Sequence, residues 1–232
     1  MDSRAAPARA PAALVFDLDG TLVDTVETRI RAWLAVFEEF DIPATRALVA
    51  PMIGIDGRRL ARDAAEAAGL PLPPGRDEEI DRRCGEIYES LNRDPQALPG
   101  APELLRWLDD ESWPWAIATS SRREQVGTSL AALALGRDPT VVDGSSVEHA
   151  KPAPDLLLAA AAALERSPMD CWCIGDSTWD MRAATAAGMI PVGVTAGAAV
   201  SGESLHQAGA ILVTDTLMEL QAELHRRRGG SV

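Results

Sequence analysis

The sequence predicts an α/β protein, a parallel sheet covered by helices on both faces, with an all-helical segment inserted after the first strand. Three observations carry this prediction. Five short runs are apolar along their whole length rather than at every second residue, as strands buried on both faces are. Helical patterns lie between most of these runs, the alternation expected of a parallel sheet. Residues 26–94 interrupt the alternation with helical patterns and no strand-like run.

The first run, Ala13-Leu14-Val15-Phe16, stops abruptly at the polar loop Asp17-Leu18-Asp19-Gly20-Thr21. Val26, Ile30, Trp33, Leu34, Phe37 and Phe40 then fall at helical spacing behind a cap at Asp24 or Thr25, and further helices are expected over 58–68 and 78–91. Asp94-Pro95-Gln96-Ala97-Leu98-Pro99-Gly100 reads as the return to the sheet. From there helices are expected at 101–110, 124–135, 154–164, 179–187 and 216–225, and strands at 115–118, 171–174, 190–194 and 210–213. The sheet domain is thus residues 12–25 with 95–232, and the helical insertion is 26–94. Residues 1–11, rich in Ala, Pro and Arg, read as a frayed arm, and Arg226-Arg227-Arg228 as a frayed helix end.

The chain has 232 residues, 47% of them hydrophobic, enough to bury a sizeable core. A net charge of −13 argues against a general nucleic-acid or anionic-membrane binder, both of which need a basic surface. No apolar run approaches the ~18 residues of a membrane span, and the N-terminus lacks a signal-peptide core. Cys84, Cys171 and Cys173 have no spacing that suits zinc or a disulfide framework, so a reducing, cytoplasmic location is expected. No feature of the sequence specifies an oligomer. One count stands out: Lys151 is the only lysine among 22 basic residues, the rest being arginine.

Two acidic pairs carry chemistry. Asp17 and Asp19 leave the first strand two residues apart, and carboxylates so close need a metal or a shared proton as compensation. Asp176 and Asp180 follow the strand at 171–174. If both strands are central and parallel, the four carboxylates converge at one sheet edge, where ligands bind. Oxygen-only donors in this number suit Mg²⁺. Thr119-Ser120-Ser121 ends the strand at 115–118 ahead of a helix, so hydroxyls and free amides face an anion there. Lys151 opens the loop into the helix at 154–164.

Taken in order, Asp17-Leu18-Asp19-Gly20-Thr21, Thr119-Ser120, Lys151 with Pro152 and Asp155, and Gly175-Asp176-Ser177 with Asp180 resemble the four motifs of the haloacid dehalogenase-like (HAD) hydrolase superfamily. The resemblance spans roughly residues 14–223. The insertion between the first and second motifs looks like the subgroup with a helical cap, so a Rossmann-like core with a cap domain is implied. Asp24-Thr25 and Ala32-Trp33 are similar to the branch holding phosphoglycolate-type phosphatases and beta-phosphoglucomutases.

That resemblance implies a Mg²⁺-dependent phosphatase of a small phosphorylated metabolite, a sugar phosphate or phosphoacid. Asp17 is the implied nucleophile, forming an aspartyl-phosphate, and Asp19 the acid/base group. Asp17, the Asp19 backbone carbonyl and Asp176 hold the metal, with Asp180 one layer behind, orienting water or Lys151. Thr119, Ser120 and Lys151 bind the phosphate. Arg29, Arg58 and Arg59, with the loop from Ile53 to Gly57, are expected near the leaving group. Dehalogenation is disfavoured because that branch lacks the second aspartate, and the phosphonate-cleaving branch needs a cap lysine that this chain does not have. The alternative is a beta-phosphoglucomutase-like mutase, against which stand Arg29, where that branch carries a histidine, and the same missing cap lysine. A non-catalytic binding protein on the same fold is the third reading.

Overall fold

The computed structural model describes residues 10–229; the Ala-Pro-Arg arm up to residue 9 lies outside them. Six parallel strands form the main sheet. They are β1 (Ala13–Phe16), β4 (Trp115–Ala118), β5 (Val141–Val142), β6 (Cys171–Gly175), β7 (Ile190–Val194) and β8 (Leu212–Thr214), in the order β5-β4-β1-β6-β7-β8. β1 is central, pairing with β4 on one side and β6 on the other. The chain builds outward from β1 in both directions, so the switch point of the topology falls at β1, where ligands of such sheets collect beyond the carboxyl ends.

Side-chain size divides the two faces. Leu14, Phe16, Trp115, Ile117, Trp172 and Ile174 point to one face and pack under α5 (Ala101–Asp110), α6 (Arg123–Ala132) and α10 (Leu217–Gly229). Ala13, Val15, Ala116, Ala118, Cys171 and Cys173 point to the other, under α7 (Asp155–Ala163) and α8 (Thr178–Ala187). The second face is lined by small residues, which lets the alanine-rich α7 lie close to the strands. Cys171 and Cys173 serve here as small apolar residues, and with Cys84 all three cysteines are free and buried.

The strands at 13–16, 115–118 and 190–194 fall where periodicity puts them. Two short pairings were not expected. Val141–Val142 is too short to leave an apolar run. β2 (Val23–Asp24) and β3 (Gln96–Ala97) form an antiparallel ribbon joining the exit and return of the insertion. The helix α9 (Gly202–Gln207) fills a stretch without apolar periodicity. The arginine end of α10 is not frayed: Arg226 and Arg227 pair with Glu223, and Arg228 reaches Glu111 at 2.8 Å.

Residues 26–91 are helical, with α1 (Val26–Glu39), α2 (Arg46–Val49), α3 (Gly57–Ala67) and α4 (Arg76–Leu91) around their own apolar cluster. Ile30, Trp33, Phe37, Leu60, Ile80 and Tyr88 are its large members, separate from the two cores on the sheet. Among the described residues no helix is long and apolar enough to cross a membrane.

Candidate active site

The carboxyl ends of β1, β4 and β6 deliver the site. The register pairs Phe16 with Ile174, so Asp17 and Asp176 emerge side by side, and the Asp17 N–H donates to the Ile174 carbonyl at 2.8 Å. Thr119 leaves β4 on the opposite flank. Lys151 rises from the loop ahead of α7 and is 1% exposed. Its Nζ bonds to Asp17 Oδ1 and lies 2.7 Å from Asp180 Oδ1. The other oxygen of Asp180 is fixed by the start of α8, accepting from the Ser177 hydroxyl at 2.5 Å and its N–H at 3.1 Å. Asp180 is therefore anchored by its own helix and turned toward Lys151. Asp176 accepts from Thr21 Oγ1 at 3.0 Å. Gly20 sits at φ +88° with its α-carbon so close that a Cβ would collide with the Asp176 carboxylate, so the turn demands glycine twice over.

Asp17, Asp176 and Asp180 each bring an oxygen within 4.8 Å of the others, all buried, with Lys151 the cation bonded among them. The charges conflict. Burial pushes the Asp17 carboxyl up to about 7, with Asp180 and Asp19 adding to the rise and Lys151 opposing it. Burial, then Asp17 and Asp180, push Asp176 well above the carboxylate range. Burial alone would lower Lys151, but Asp17 and Asp180 outweigh it and hold the ammonium firmly charged. A buried cluster of hard oxygen donors that resists ionising for want of positive charge fits a divalent cation.

Asp19 stands apart from this cluster. Thr25 Oγ1 donates to its Oδ1 at 2.7 Å and Tyr88 to the same oxygen at 3.2 Å; Ser121 Oγ at 2.6 Å and Arg29 Nη2 at 3.1 Å donate to its Oδ2. Burial would raise its pKa, yet Arg29 and the bonds from Ser121 and Thr25 hold it below the usual carboxylate range. Thr25, one of the two residues expected to cap α1, directly precedes it. Its hydroxyl makes no cap bond because it is spent on Asp19.

A cavity of about 60 Å³ lies over these groups, lined by Asp17, Asp19, Arg29, Thr119, Ser120 and Gly54 among others. The helical segment covers one side of it. Ser120 Oγ donates to the Gly54 carbonyl at 3.0 Å, the Asp56 N–H to the Lys151 carbonyl at 3.0 Å, and Arg122 to Asp81 at 2.8 Å. Of the three arginines expected near the leaving group, the structure brings in only Arg29. Arg58 turns to Asp56 at 3.8 Å, and Arg59 to Asp63 at 3.3 Å and over the Trp179 ring, both partly exposed outside the cavity. Sequence reasoning missed Tyr88 and Gln125, which bond to Asp19 and Arg29. The available signal was that Tyr88 is the only tyrosine and sits four residues after Cys84 on the apolar face of its helix.

The raised Asp17 has a sign that can be tested. Its folded pKa of about 7 lies above the ordinary 3.8, so metal-free protein loses stability from Asp17 as pH rises between those values. A cation that binds the ionised carboxylates removes that loss. Millimolar Mg²⁺ is expected to raise the melting temperature by several degrees at about pH 8 and by little at about pH 5. Equal shifts at both pH values in a thermal-melt titration would contradict it.

Known proteins resemble this chain over most of its length. A beta-phosphoglucomutase from Bacillus subtilis is 32% identical over 91% of this chain and 92% of its own length. A phosphoglycolate phosphatase from Pseudomonas aeruginosa is 31% identical over 91% of this chain and 79% of its own. The crystal structure of a hydrolase from Pseudomonas syringae superposes with a TM-score of 0.88 at 33% identity, covering 92% of this chain and 98% of that one. Residues 14–194, from β1 through β7 and so through every carboxylate of the site, match the haloacid dehalogenase-like hydrolases, and the chain belongs to that family.

Proposed function

We propose that the protein is a Mg²⁺-dependent phosphatase that hydrolyses a small phosphate monoester through an aspartyl-phosphate on Asp17. The observation that carries this reading is the seating of Asp17 against Lys151 beside a cavity that Asp17 and Asp19 both line. Asp17 attacks phosphorus, Asp19 protonates the departing alcohol oxygen, and Asp19 then takes a proton from the water that hydrolyses the phosphoenzyme. Lys151, the Thr119 hydroxyl and the Ser120 N–H face the transferred phosphoryl oxygens. Asp180 positions Lys151.

Asp17, Asp176 and the Asp19 carbonyl would hold Mg²⁺, which when bound offsets the repulsion between an anionic nucleophile and an anionic ester. Residues 26–94 act as a cap domain, and the β2–β3 ribbon as its hinge. The cavity has room for a few water molecules, well short of the roughly 300–1,000 Å³ of ordinary ligand sites, so the cap must lift to admit an ester. The three free, buried cysteines suit a reducing, cytoplasmic compartment.

The mutase alternative draws on the 32% identity to a beta-phosphoglucomutase. Against it stands the cap itself, which carries no lysine and presents Arg29 to the acid/base group. A screen of phosphate release with Mg²⁺ over small esters, including glucose 1-phosphates and their bisphosphates, separates the readings. Inorganic phosphate is expected from at least one ester. Sugar-phosphate isomerisation without phosphate release would move the assignment to a mutase, and no turnover of any ester would overturn the enzymatic reading.

A further inference from the structure

Asp19 is an acid/base group with no free place for a substrate oxygen. Four donors fill its two carboxylate oxygens, and two of them, Arg29 on α1 and Tyr88 on α4, belong to the helical segment that covers one side of the cavity. Arg29 is held firmly. Its guanidinium carbon lies over the Tyr88 ring, 3.4 Å from the centroid, and the group also donates to Gln125 Oε1 at 3.2 Å and Ser121 Oγ at 2.6 Å. The side chain is 11% exposed, and among the described residues its one ion-pair partner is Asp19. When the alcohol oxygen of an ester approaches Asp19, this pair must loosen. A guanidinium stripped of its counter-ion in a largely desolvated site is strongly unfavourable unless another anion takes over.

We propose that Arg29 selects for substrate: it locks Asp19 until a second anion on the alcohol half of the ester, a carboxylate or a second phosphate, draws the guanidinium away. The inference rests on the phosphatase reading above and narrows its substrate class to monoesters with a charged leaving group. A neutral alcohol leaves Asp19 engaged by Arg29, so the ester binds without an available proton donor. Selection then acts on kcat as well as KM. The Tyr88 ring keeps the guanidinium within reach of both partners, and Arg58 and Arg59, already committed to Asp56 and Asp63 outside the cavity, do not substitute for it.

Matched esters test this directly. The pairs are 2-phosphoglycolate against 2-hydroxyethyl phosphate, and 3-phosphoglycerate against glycerol 3-phosphate, which differ by a carboxylate in place of a hydroxymethyl group; p-nitrophenyl phosphate serves as a control. The wild-type protein with Mg²⁺ is expected to favour the charged member of at least one pair by about tenfold or more in kcat/KM, visible in kcat. Arg29→Met is expected to bring that ratio within about threefold of unity, and Arg29→Lys to restore part of it. Wild-type protein that turns over both members of each pair equally overturns the proposal, whether or not the variants fold. So does an Arg29→Met protein that keeps the wild-type ratio. Turnover of p-nitrophenyl phosphate but of neither pair also overturns it while leaving the phosphatase reading intact, whereas no turnover of any ester removes both.

Discussion

An Asp17→Asn protein is expected to fold and to lose phosphate release by about 10⁴-fold or more, since the amide keeps the shape of the carboxylate and has no nucleophilic oxygen anion. Folding is expected to survive for a reason visible in the charges. Asp17 is buried among Asp176, Asp180 and Asp19, and its carboxyl is already pushed up to about 7. A neutral amide removes that repulsion and leaves Lys151 paired with Asp180 at 2.7 Å. Metal-free Asp17→Asn protein should therefore melt no lower than the metal-free parent at about pH 8, where the parent carboxylate is mostly ionised against its neighbours. Release assays with Mg²⁺ and melts in EDTA check the two halves. A variant that keeps a few per cent of parental kcat would rule out the aspartyl-phosphate route.

Lys151→Arg is expected to cost about 10³-fold in kcat although it conserves charge. The ammonium is 1% exposed and bridges Asp17 and Asp180 as a compact point charge, with the Asp56 N–H tying the same residue's carbonyl to the helical segment. A planar guanidinium is longer and broader. It cannot occupy the wedge between two carboxylates without pushing Asp17 out of line with the phosphorus. Overpacking a buried site of this kind costs about 1–3 kcal/mol, a fall in melting temperature of roughly 2–12 °C for a chain of this size. Near-parental kcat in Lys151→Arg would mean that Lys151 supplies charge alone and that its geometry is immaterial.

The single lysine shows how far composition reaches. An arginine-rich chain that keeps one lysine suggests nothing by itself, because exposed lysines are common and singletons arise by chance. Its place in the motif order marked it as an expected site residue, and the structure puts it against Asp17. The lone tyrosine followed the opposite course. Tyr88 reads from periodicity as one more apolar residue on the inner face of a helix, and its ring does pack there. Its hydroxyl reaches Asp19 across 69 residues of sequence, which local spacing cannot encode.

The sheet, its carboxylates and their order along the chain were legible in the sequence because they depend on local chemistry. An unbroken apolar run means a strand buried on both faces, and a polar loop after it falls at the carboxyl edge, so Asp17, Thr119 and Asp176 had to meet once β1, β4 and β6 lay side by side. The short edge strand at Val141–Val142 and the ribbon of Val23–Asp24 with Gln96–Ala97 were not legible, since two residues are too few to show a period. Which cap arginine enters the cavity was also settled only by tertiary structure. Arg29, Arg58 and Arg59 have the same charge and similar helical settings, and their sequence neighbours do not separate them. Packing of α1 against α4 sets Arg29 on Tyr88 and aims it at Asp19, while α3 turns Arg58 and Arg59 outward to their own carboxylates. A side chain's partner across a domain is decided by the orientation of whole helices, and that orientation is a property of the packed core rather than of any segment within it.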